Sequence, residues 1–267
     1  MGHYDEGDPS VIPAGFARFT VGRTEVVCAG HVAGAVRQAL RAGTLYQFAE
    51  RHPQARPLAG RGVVYSVPLP GNVEHAVIRR NHHGGHFALL TRDLFRPPTR
   101  APRELRLSER LQRAGVPTPA MLGFAVYPAI LGLKRVDVMS RLVPDSQDLS
   151  HVLMSTDAGD RARAWHATAL LTAALSLAGA RHHDLNVKNV LLFGSEALVL
   201  DVDRVTFGGA GVEVLDANLA RLFRSARKWR DVHGARVTDA ELDEVAAVAR
   251  AAFARTEESG VSPSTRS

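Results

Sequence analysis

The sequence predicts an α+β fold in two parts, a strand-rich N-terminal half and a helix-rich C-terminal half. Short runs rich in Val and other β-branched or aromatic residues, separated by Pro and Gly, are typical of strands and lie before residue 141. Beyond that point the pattern changes to long segments with helical periodicity. The chain has 267 residues, which suffices for one domain with two lobes.

The N-terminal half begins with a helix and continues as a hairpin, a second helix and two more strands. In chain order these elements are predicted at residues 30–50, 63–79, 102–114, 122–127 and 135–140. The hairpin turns at residues 68–72, which contain two Pro, one Gly and one Asn. The second helix ends at Gly115 and carries Glu104 one turn before Leu107, on its inward side.

The C-terminal half alternates long helices with two short strands. Its elements are predicted at residues 161–178, 190–193, 197–200, 215–230 and 239–256. The domain organisation that follows is an N-terminal lead-in, an N-lobe, a C-lobe and a disordered tail, at residues 1–34, 35–140, 141–256 and 257–267.

Composition and charge narrow the functional classes. A single cysteine, Cys28, allows no disulfide within the chain and favours a reducing compartment. No secretory signal and no apolar run long enough to span a membrane are visible, so a cytoplasmic location is expected. The net charge is +6 and nearly all basic residues are arginine, which fits an anionic partner or a GC-rich genome. The aromatic fraction of 6% offers no stacking platform, so nucleic acid is not expected as a partner.

The most informative segment runs His-His-Asp-Leu-Asn-Val-Lys-Asn-Val-Leu-Leu over residues 182–192, between a predicted helix and a predicted strand pair. Asp184 precedes Asn189 by five residues and Asp201 by seventeen. This spacing matches the kinase pattern, in which a catalytic-loop Asp is followed by an Asn and then by a metal-binding Asp. Taken singly, each residue could instead cap a loop.

Phosphoryl transfer explains why these residue types occur together. The reaction needs a carboxylate near the attacking hydroxyl, a role that suits Asp184. It also needs oxygen ligands for Mg²⁺, whose charge offsets that of the phosphates, and Asn189 and Asp201 supply such oxygens. Asp203 stands where protein kinases have Gly, and it could add a metal ligand or cap the following turn.

More narrowly, the segment resembles the lipopolysaccharide kinase family, and within it the Kdo kinases, which phosphorylate the 3-deoxy-octulosonate sugar of the lipid A core. The loop His-x-Asp-Leu-Asn-x-x-Asn-(Ile/Val)-Leu-Leu and the turn Leu-(Ile)-Asp-x-Asp of that family appear as residues 182–192 and 200–203. The resemblance covers roughly residues 58–230. It implies a two-lobed protein-kinase-like fold, ATP and Mg²⁺ as cofactors, and an anionic sugar or glycolipid as acceptor.

The resemblance also implies a phosphate-binding group in the N-lobe. Gly60 and Gly62 resemble the loop that covers the phosphates, although the third glycine of the common kinase loop is absent. Arg79 occupies the place where ordinary kinases have Lys and where Kdo kinases tend to have Arg. Glu104 resembles the helix Glu that orients this cation. Alternatively, Arg79 and Glu104 form a surface ion pair. The replacement of Lys by Arg also allows a second alternative, a pseudokinase that binds without transferring phosphate.

Two further features carry alternatives. His82, His83 and His86 could suggest zinc, but no Cys lies nearby and a solvated or substrate-facing loop is favoured. Residues 215–230 form a basic helix that could meet an anionic membrane or acceptor, or could simply have a solvated face; its cations are Arg221, Arg224, Arg227, Lys228 and Arg230.

The expected function is therefore transfer of the ATP γ-phosphate to a hydroxyl of Kdo or a related sugar on a lipid A precursor. This transfer is expected in the cytoplasm, either free or with peripheral contact at the cytoplasmic face of the inner membrane. Another small-molecule or protein Ser/Thr kinase is the alternative enzyme. A pseudokinase that binds without transfer is the alternative outside catalysis.

Overall fold

A computed structural model describes residues 12–58, 63–71, 73–81 and 93–258. These residues form two compact units. The first comprises the described residues up to Arg106 together with Ala120–Leu142, and it is rich in strands. The second comprises Leu107–Pro119 and the described residues from Val143 onward, and it is mainly helical. The predicted α+β class, with a strand-rich N-lobe and a helical C-lobe, is confirmed.

The strand-rich unit contains one antiparallel sheet in the order β1-β2-β6-β7-β5-β4-β3. Its strands are β1 (Phe16–Val21), β2 (Thr24–Ala29), β3 (Arg56–Leu58), β4 (Val64–Pro68), β5 (His75–Arg80), β6 (Met121–Pro128) and β7 (Lys134–Arg141). The predicted hairpin is present as β4 and β5, which pair antiparallel. The two strands predicted after the second helix are present as β6 and β7, and they also pair with each other.

Strands β1 and β2 lie within the segment that the sequence predicts to be a lead-in, residues 1–34. Along β1, Phe19 and Val21 are partly buried while Arg18 and Thr20 are exposed, which is the period-two pattern of a half-buried strand. Strand β2 has four buried residues in succession because it pairs with β1 on one side and β6 on the other. The sheet therefore begins well before the predicted start of the N-lobe at residue 35.

The single helix predicted at residues 30–50 is two helices, α1 (Ala33–Ala39) and α2 (Leu45–Arg51). Gly43 has φ = 129°, a conformation that other residues rarely adopt, so the helical segment ends there. Thr44 then caps α2: its side chain accepts from the Gln47 amide, and the Gln47 side chain accepts from the Thr44 amide. The local capping signal thus overrides the longer helical pattern.

The helical unit has its core around a long apolar helix. Its helices are the second half of α3 (Ala101–Arg113), then α4 (Leu149–Val152), α5 (Ala158–Leu177), α6 (Val212–His233) and α7 (Asp239–Glu258). Asp157 caps α5, which is buried on most of its circumference and packs against α6 and α7. Helix α7 continues to Glu258, two residues into the predicted tail. Residues 107–119 belong to this unit, whereas the sequence places them in the N-lobe.

Short strand pairs in the helical unit bring two loops together. The strands are β8 (Gln147–Asp148), β9 (Ala180–His182), β10 (Val190–Phe193), β11 (Glu196–Val199) and β12 (Val205–Phe207). Strand β10 pairs with β11 and β9 pairs with β12. Residues 183–189 connect β9 to β10, and residues 200–204 connect β11 to β12. Because the loops join the same two strand pairs, they must lie side by side.

Candidate active site

The loop at residues 183–189, here called the catalytic loop, is held in position by His182, the residue directly before it. The His182 side chain is buried, and its Nε2 lies 2.9 Å from the Leu200 carbonyl oxygen, which can accept but not donate. The Asp184 amide donates to His182 Nδ1 at 3.2 Å. Burial lowers the pKa of His182, so the ring is the neutral tautomer with its proton on Nε2. His182 therefore orients the catalytic loop.

Asn189 forms hydrogen bonds both to Asp184 and to the loop at residues 200–204. Its Nδ2 donates to the Asp184 carbonyl oxygen at 2.9 Å, and Asn186 Nδ2 donates to the same oxygen at 3.0 Å. The Leu200 amide donates to the Asn189 carbonyl oxygen at 2.8 Å. With its side-chain amino group engaged, Asn189 has Oδ1 as the atom that can serve as a ligand. The structure thus brings Asp184 and Asn189 together and places Asn189 beside the turn that contains Asp201.

Asp201 has a left-handed backbone conformation, with φ = 58° and ψ = 46°. It precedes a 3-10 helix, Val202–Arg204, and its side chain makes no capping hydrogen bond. A left-handed residue other than Gly costs free energy, and such residues concentrate at functional sites. Asp203 lies inside the 3-10 helix, with Oδ1 3.8 Å from Arg204 Nε, so the residue at the cap position is Asp201.

The donor set fits a magnesium ion. The amide oxygen of Asn189 and the carboxylate of Asp201 are hard oxygen donors. Mg²⁺ commonly takes one or two carboxylates from the protein and completes its shell with phosphates and water. Across the described ranges, no group of three or more His, Cys, Asp or Glu residues could hold a metal without such help.

One face of α6 follows the catalytic loop and was not singled out in the sequence. Buried Asn218 accepts from the His182 amide at 3.0 Å and donates to the Ala180 carbonyl oxygen at 3.0 Å. Further along, Ser225 Oγ accepts from the Val187 amide at 3.3 Å, and the Trp229 ring lies 5.2 Å from Lys188 Nζ. The four loop-facing residues of α6 are Asn218, Arg221, Ser225 and Trp229. Their spacing of three, four and four residues is the helical period that could have revealed them.

Arg221 pairs with Asp184. Its guanidinium donates to Asp184 Oδ1, while its Nε is buried with no hydrogen-bond acceptor among the described residues. The sequence grouped Arg221 with the other cations of the basic helix as a surface for anions. The structure separates it from them, because its position on the helix turns it toward the catalytic loop.

Arg79 and Glu104 lie together in the strand-rich unit. Arg79, near the end of β5, donates to the carboxylate of Glu104, which is 8% exposed on α3. Arg79 also donates to Asn81. Its role toward a nucleotide stays a prediction. Gly60 and Gly62 lie outside the described residues, as do His82, His83 and His86.

The residue next to Arg79 has a structural role. Arg80 Nε donates to Asp137 Oδ1 at 3.2 Å, and the Asp137 side chain is completely buried. Asp137 Oδ2 accepts from the Tyr46 amide at 2.9 Å, in the first turn of α2. The carboxylate therefore satisfies a helix-end N–H group and stabilises the helix dipole. The Arg80–Asp137 pair thus links α2 to the sheet. The sequence alone does not distinguish it from the neighbouring Arg79–Glu104 pair.

Three of the remaining cations of the basic helix, Arg224, Arg227 and Lys228, line a groove, here called the α6–α7 groove, whereas Arg230 pairs with Asp231 and Asp239. The groove has a volume of about 750 Å³, with Leu219 and Phe223 among its apolar walls. Its basic residues are Arg224, Arg227, Lys228 and Arg250. Arg227 pairs with Asp239 and Arg250 with Asp216, whereas Arg224 and Lys228 are exposed. Within the described part of the chain, no helix is both long and apolar enough to span a bilayer.

Comparison with known proteins identifies the family. A model of the lipopolysaccharide kinase (Kdo/WaaP) family matches residues 50–248. The 3-deoxy-D-manno-octulosonic acid kinase of Xanthomonas campestris pv. campestris strain B100 is 30% identical over 184 residues, covering 66% of this chain and 72% of that protein. Its counterpart in Actinobacillus succinogenes is 31% identical over 194 residues, covering 68% and 78%. A solved structure of WaaP in complex with acyl carrier protein aligns with a TM-score of 0.43 at 15% identity, over 84% of this chain and 94% of that one. This chain belongs to the lipopolysaccharide kinase (Kdo/WaaP) family.

Proposed function

We propose that this chain is an ATP-dependent kinase that phosphorylates a hydroxyl of Kdo, or of a closely related acidic sugar, on a lipid A precursor during lipopolysaccharide core synthesis. Family membership supports phosphotransfer to a sugar hydroxyl, and the relatives named above are Kdo kinases. The observation that carries the proposal is the catalytic loop, in which Asp184 is held by His182, Asn186 and Asn189 beside Asp201.

In the proposed reaction the acceptor hydroxyl oxygen attacks the γ-phosphorus of ATP. A bond forms between that oxygen and phosphorus, the bond to the ADP oxygen breaks, and its electron pair leaves with ADP. The hydroxyl proton passes to the carboxylate of Asp184. Arg221 occupies Oδ1 of this carboxylate, so Oδ2 is the atom that we assign to the hydroxyl.

Asn189 and Asp201 would hold Mg²⁺, which when bound offsets the negative charge of the phosphates. Two features support this assignment: the side-chain amino group of Asn189 is already engaged, and Asp201 has a left-handed backbone. In the strand-rich unit, Arg79 would bind the phosphates while Glu104 orients its guanidinium. The phosphate-covering role of Gly60 and Gly62, which lie outside the described residues, stays a prediction from the sequence.

We further propose that the protein works in the cytoplasm with peripheral contact at the inner membrane. The α6–α7 groove supports this contact, because exposed Arg224 and Lys228 adjoin the partly buried Phe223 and the exposed side chain of Val232. Cations beside apolar surface favour anionic lipid headgroups, and the attraction is screened over a Debye length of about 8 Å at physiological salt.

Vesicle sedimentation tests the membrane contact. Binding to vesicles that contain anionic phospholipid should weaken as salt rises, and it should weaken further when Arg224, Arg227 and Lys228 are replaced together by Gln. Neutral vesicles provide the control. Equal binding to neutral and anionic vesicles would contradict the electrostatic contact and leave the kinase assignment intact.

A transfer assay tests the kinase assignment. Labelled phosphate from ATP should appear on Kdo-lipid A, and Asp184→Asn should lower turnover by about 100-fold or more, as expected for a lost general base. Asp243→Asn, an exposed substitution on α7, should leave turnover unchanged. Transfer to a protein or another small molecule, but not to Kdo-lipid A, would favour the alternative kinase. Binding of ATP without transfer to any acceptor would indicate a pseudokinase.

A further inference from the structure

The contact between Arg221 and Asp184 is unusual for a residue that has to accept a proton. The ion pair engages one of the two oxygens of the carboxylate that the proposed function assigns to the acceptor hydroxyl. The catalytic loop does not need Arg221 for its position, because His182, Asn186 and Asn189 already hold Asp184 through its backbone. A cation at this place therefore calls for a role beyond support of the loop.

Arg221 is built to present its charge at a defined point. On the same face of α6, Asn218 is hydrogen-bonded to β9, directly before the catalytic loop, and Ser225 is hydrogen-bonded to the loop itself, so both contacts hold the helix in place. The Arg221 side chain is 35% exposed and that of Asp184 is 26% exposed, so both groups are accessible to a ligand. The buried Nε has no acceptor among the described residues, so the pair with Asp184 leaves the hydrogen-bonding capacity of the guanidinium unfilled.

Geometry sets what Arg221 can reach. The acceptor hydroxyl must come within about 3 Å of Asp184 for proton transfer. Since Arg221 touches the other oxygen of the same carboxylate, its exposed N–H groups lie on the order of 5 Å from that hydroxyl, given ordinary hydrogen-bond lengths. An anionic substituent a few bonds from the hydroxyl, on the same sugar ring, spans this distance.

Other cations near the catalytic loop are less well placed. Lys188 lies over the Trp229 ring, and Arg204 lies 3.8 Å from Asp203. Arg224 and Lys228 point into the α6–α7 groove, on another side of the helix. Among the described residues, the structure gives a hydrogen bond from a basic side chain to the Asp184 carboxylate for Arg221 alone.

We propose that Arg221 determines the acceptor specificity of this kinase by binding the carboxylate of the acceptor sugar while it remains in contact with Asp184. The inference rests on the proposed function and deepens it, since it assigns the residue that distinguishes an acidic sugar from a neutral one. A planar guanidinium suits this task because it can donate to two carboxylates at once.

The test compares Kdo-lipid A with the same acceptor carrying a methyl ester on its Kdo carboxylate. The wild-type chain should prefer the carboxylate by about 10- to 100-fold in kcat/KM, the range expected for a charged hydrogen bond. Arg221→Gln should reduce this ratio to less than about threefold, whatever it does to kcat itself. Arg221→Lys should give an intermediate ratio, because it keeps the charge and loses the fork. Arg163→Gln, which changes an exposed arginine of α5 with no assigned role, is the control and should keep the wild-type ratio.

The ratio separates recognition from support of the loop. If Arg221 acted only through Asp184, both acceptors would slow equally in Arg221→Gln and the wild-type ratio would persist, which would overturn the inference. A wild-type ratio near one would overturn it as well. Should the Gln variant fail to fold, Arg221→Lys decides, and an unchanged ratio in it would refute the proposal. If the wild-type chain phosphorylates neither acceptor, the proposed function itself fails, and the inference with it.

Discussion

Truncation of Asn218 should weaken both folding and catalysis. Asn218 is completely buried and makes hydrogen bonds to the His182 amide, the Ala180 carbonyl oxygen and Ser176 Oγ. Ser176 keeps its own bond to the Thr172 carbonyl oxygen at 2.8 Å, so two of the three bonds matter. Asn218→Ala leaves one buried donor and one buried acceptor unpaired, at about 1–3 kcal/mol each. The expected loss of folding free energy is therefore roughly 2–6 kcal/mol.

The same substitution should lower kcat, because the His182 amide is two residues from Asp184 and anchors the catalytic loop to α6. A loop that is free to shift by about 1 Å can cost a factor on the order of 100. Urea unfolding gives the stability change, and kcat is measured well below the unfolding temperature with saturating ATP. The KM for ATP should change little, since Asn218 does not lie among the assigned phosphate-binding residues.

Ser225→Ala is the matched control for Asn218→Ala. It lies on the same face of α6, but it removes one bond of 3.3 Å from a partly exposed side chain. Its expected cost is about 0.5–1.5 kcal/mol, with a small change in kcat. If Asn218→Ala proved no more harmful than Ser225→Ala in both measurements, the claim that α6 anchors the catalytic loop through Asn218 would be refuted.

Two further predictions concern the metal and the pH. Asp201→Ala should abolish magnesium-dependent ATP binding in calorimetry, because a carboxylate ligand is lost; unchanged magnesium dependence would move the site to Asp203 or remove it. Burial lowers the pKa of His182 from its ordinary value of 6.5, so the unfolded chain binds a proton that the folded chain does not. The stability from His182 is thus complete above that ordinary pKa and is lost as the pH falls through the lowered pKa of the folded state. His182→Gln should flatten the acidic side of a stability-against-pH curve measured from about pH 8 to pH 5, and an identical slope in both proteins would contradict the assignment.

The candidate catalytic residues and most of the secondary structure could be predicted from the sequence. The catalytic loop and the metal turn are each short, so their residues are neighbours along the chain and their spacing is visible directly. Hairpin β4–β5, strands β6 and β7, and helices α5 to α7 have strong local periodicity. The observed bounds differ from the predicted ones by a few residues. Family membership could be inferred from the same short motifs, because they carry the chemistry.

Other features depended on tertiary structure because they join residues far apart in the chain. Asn218 contacts His182 across 36 residues, and Arg221 contacts Asp184 across 37. No local feature of the sequence distinguishes Arg221 from the other four cations of α6 as the partner of Asp184. Its role follows from which face of the helix packs on the catalytic loop, and packing is decided by the apolar contacts of the whole unit. The left-handed conformation of Asp201 could not be predicted from the sequence either. It costs backbone free energy, and the strands on either side of the turn offset that cost.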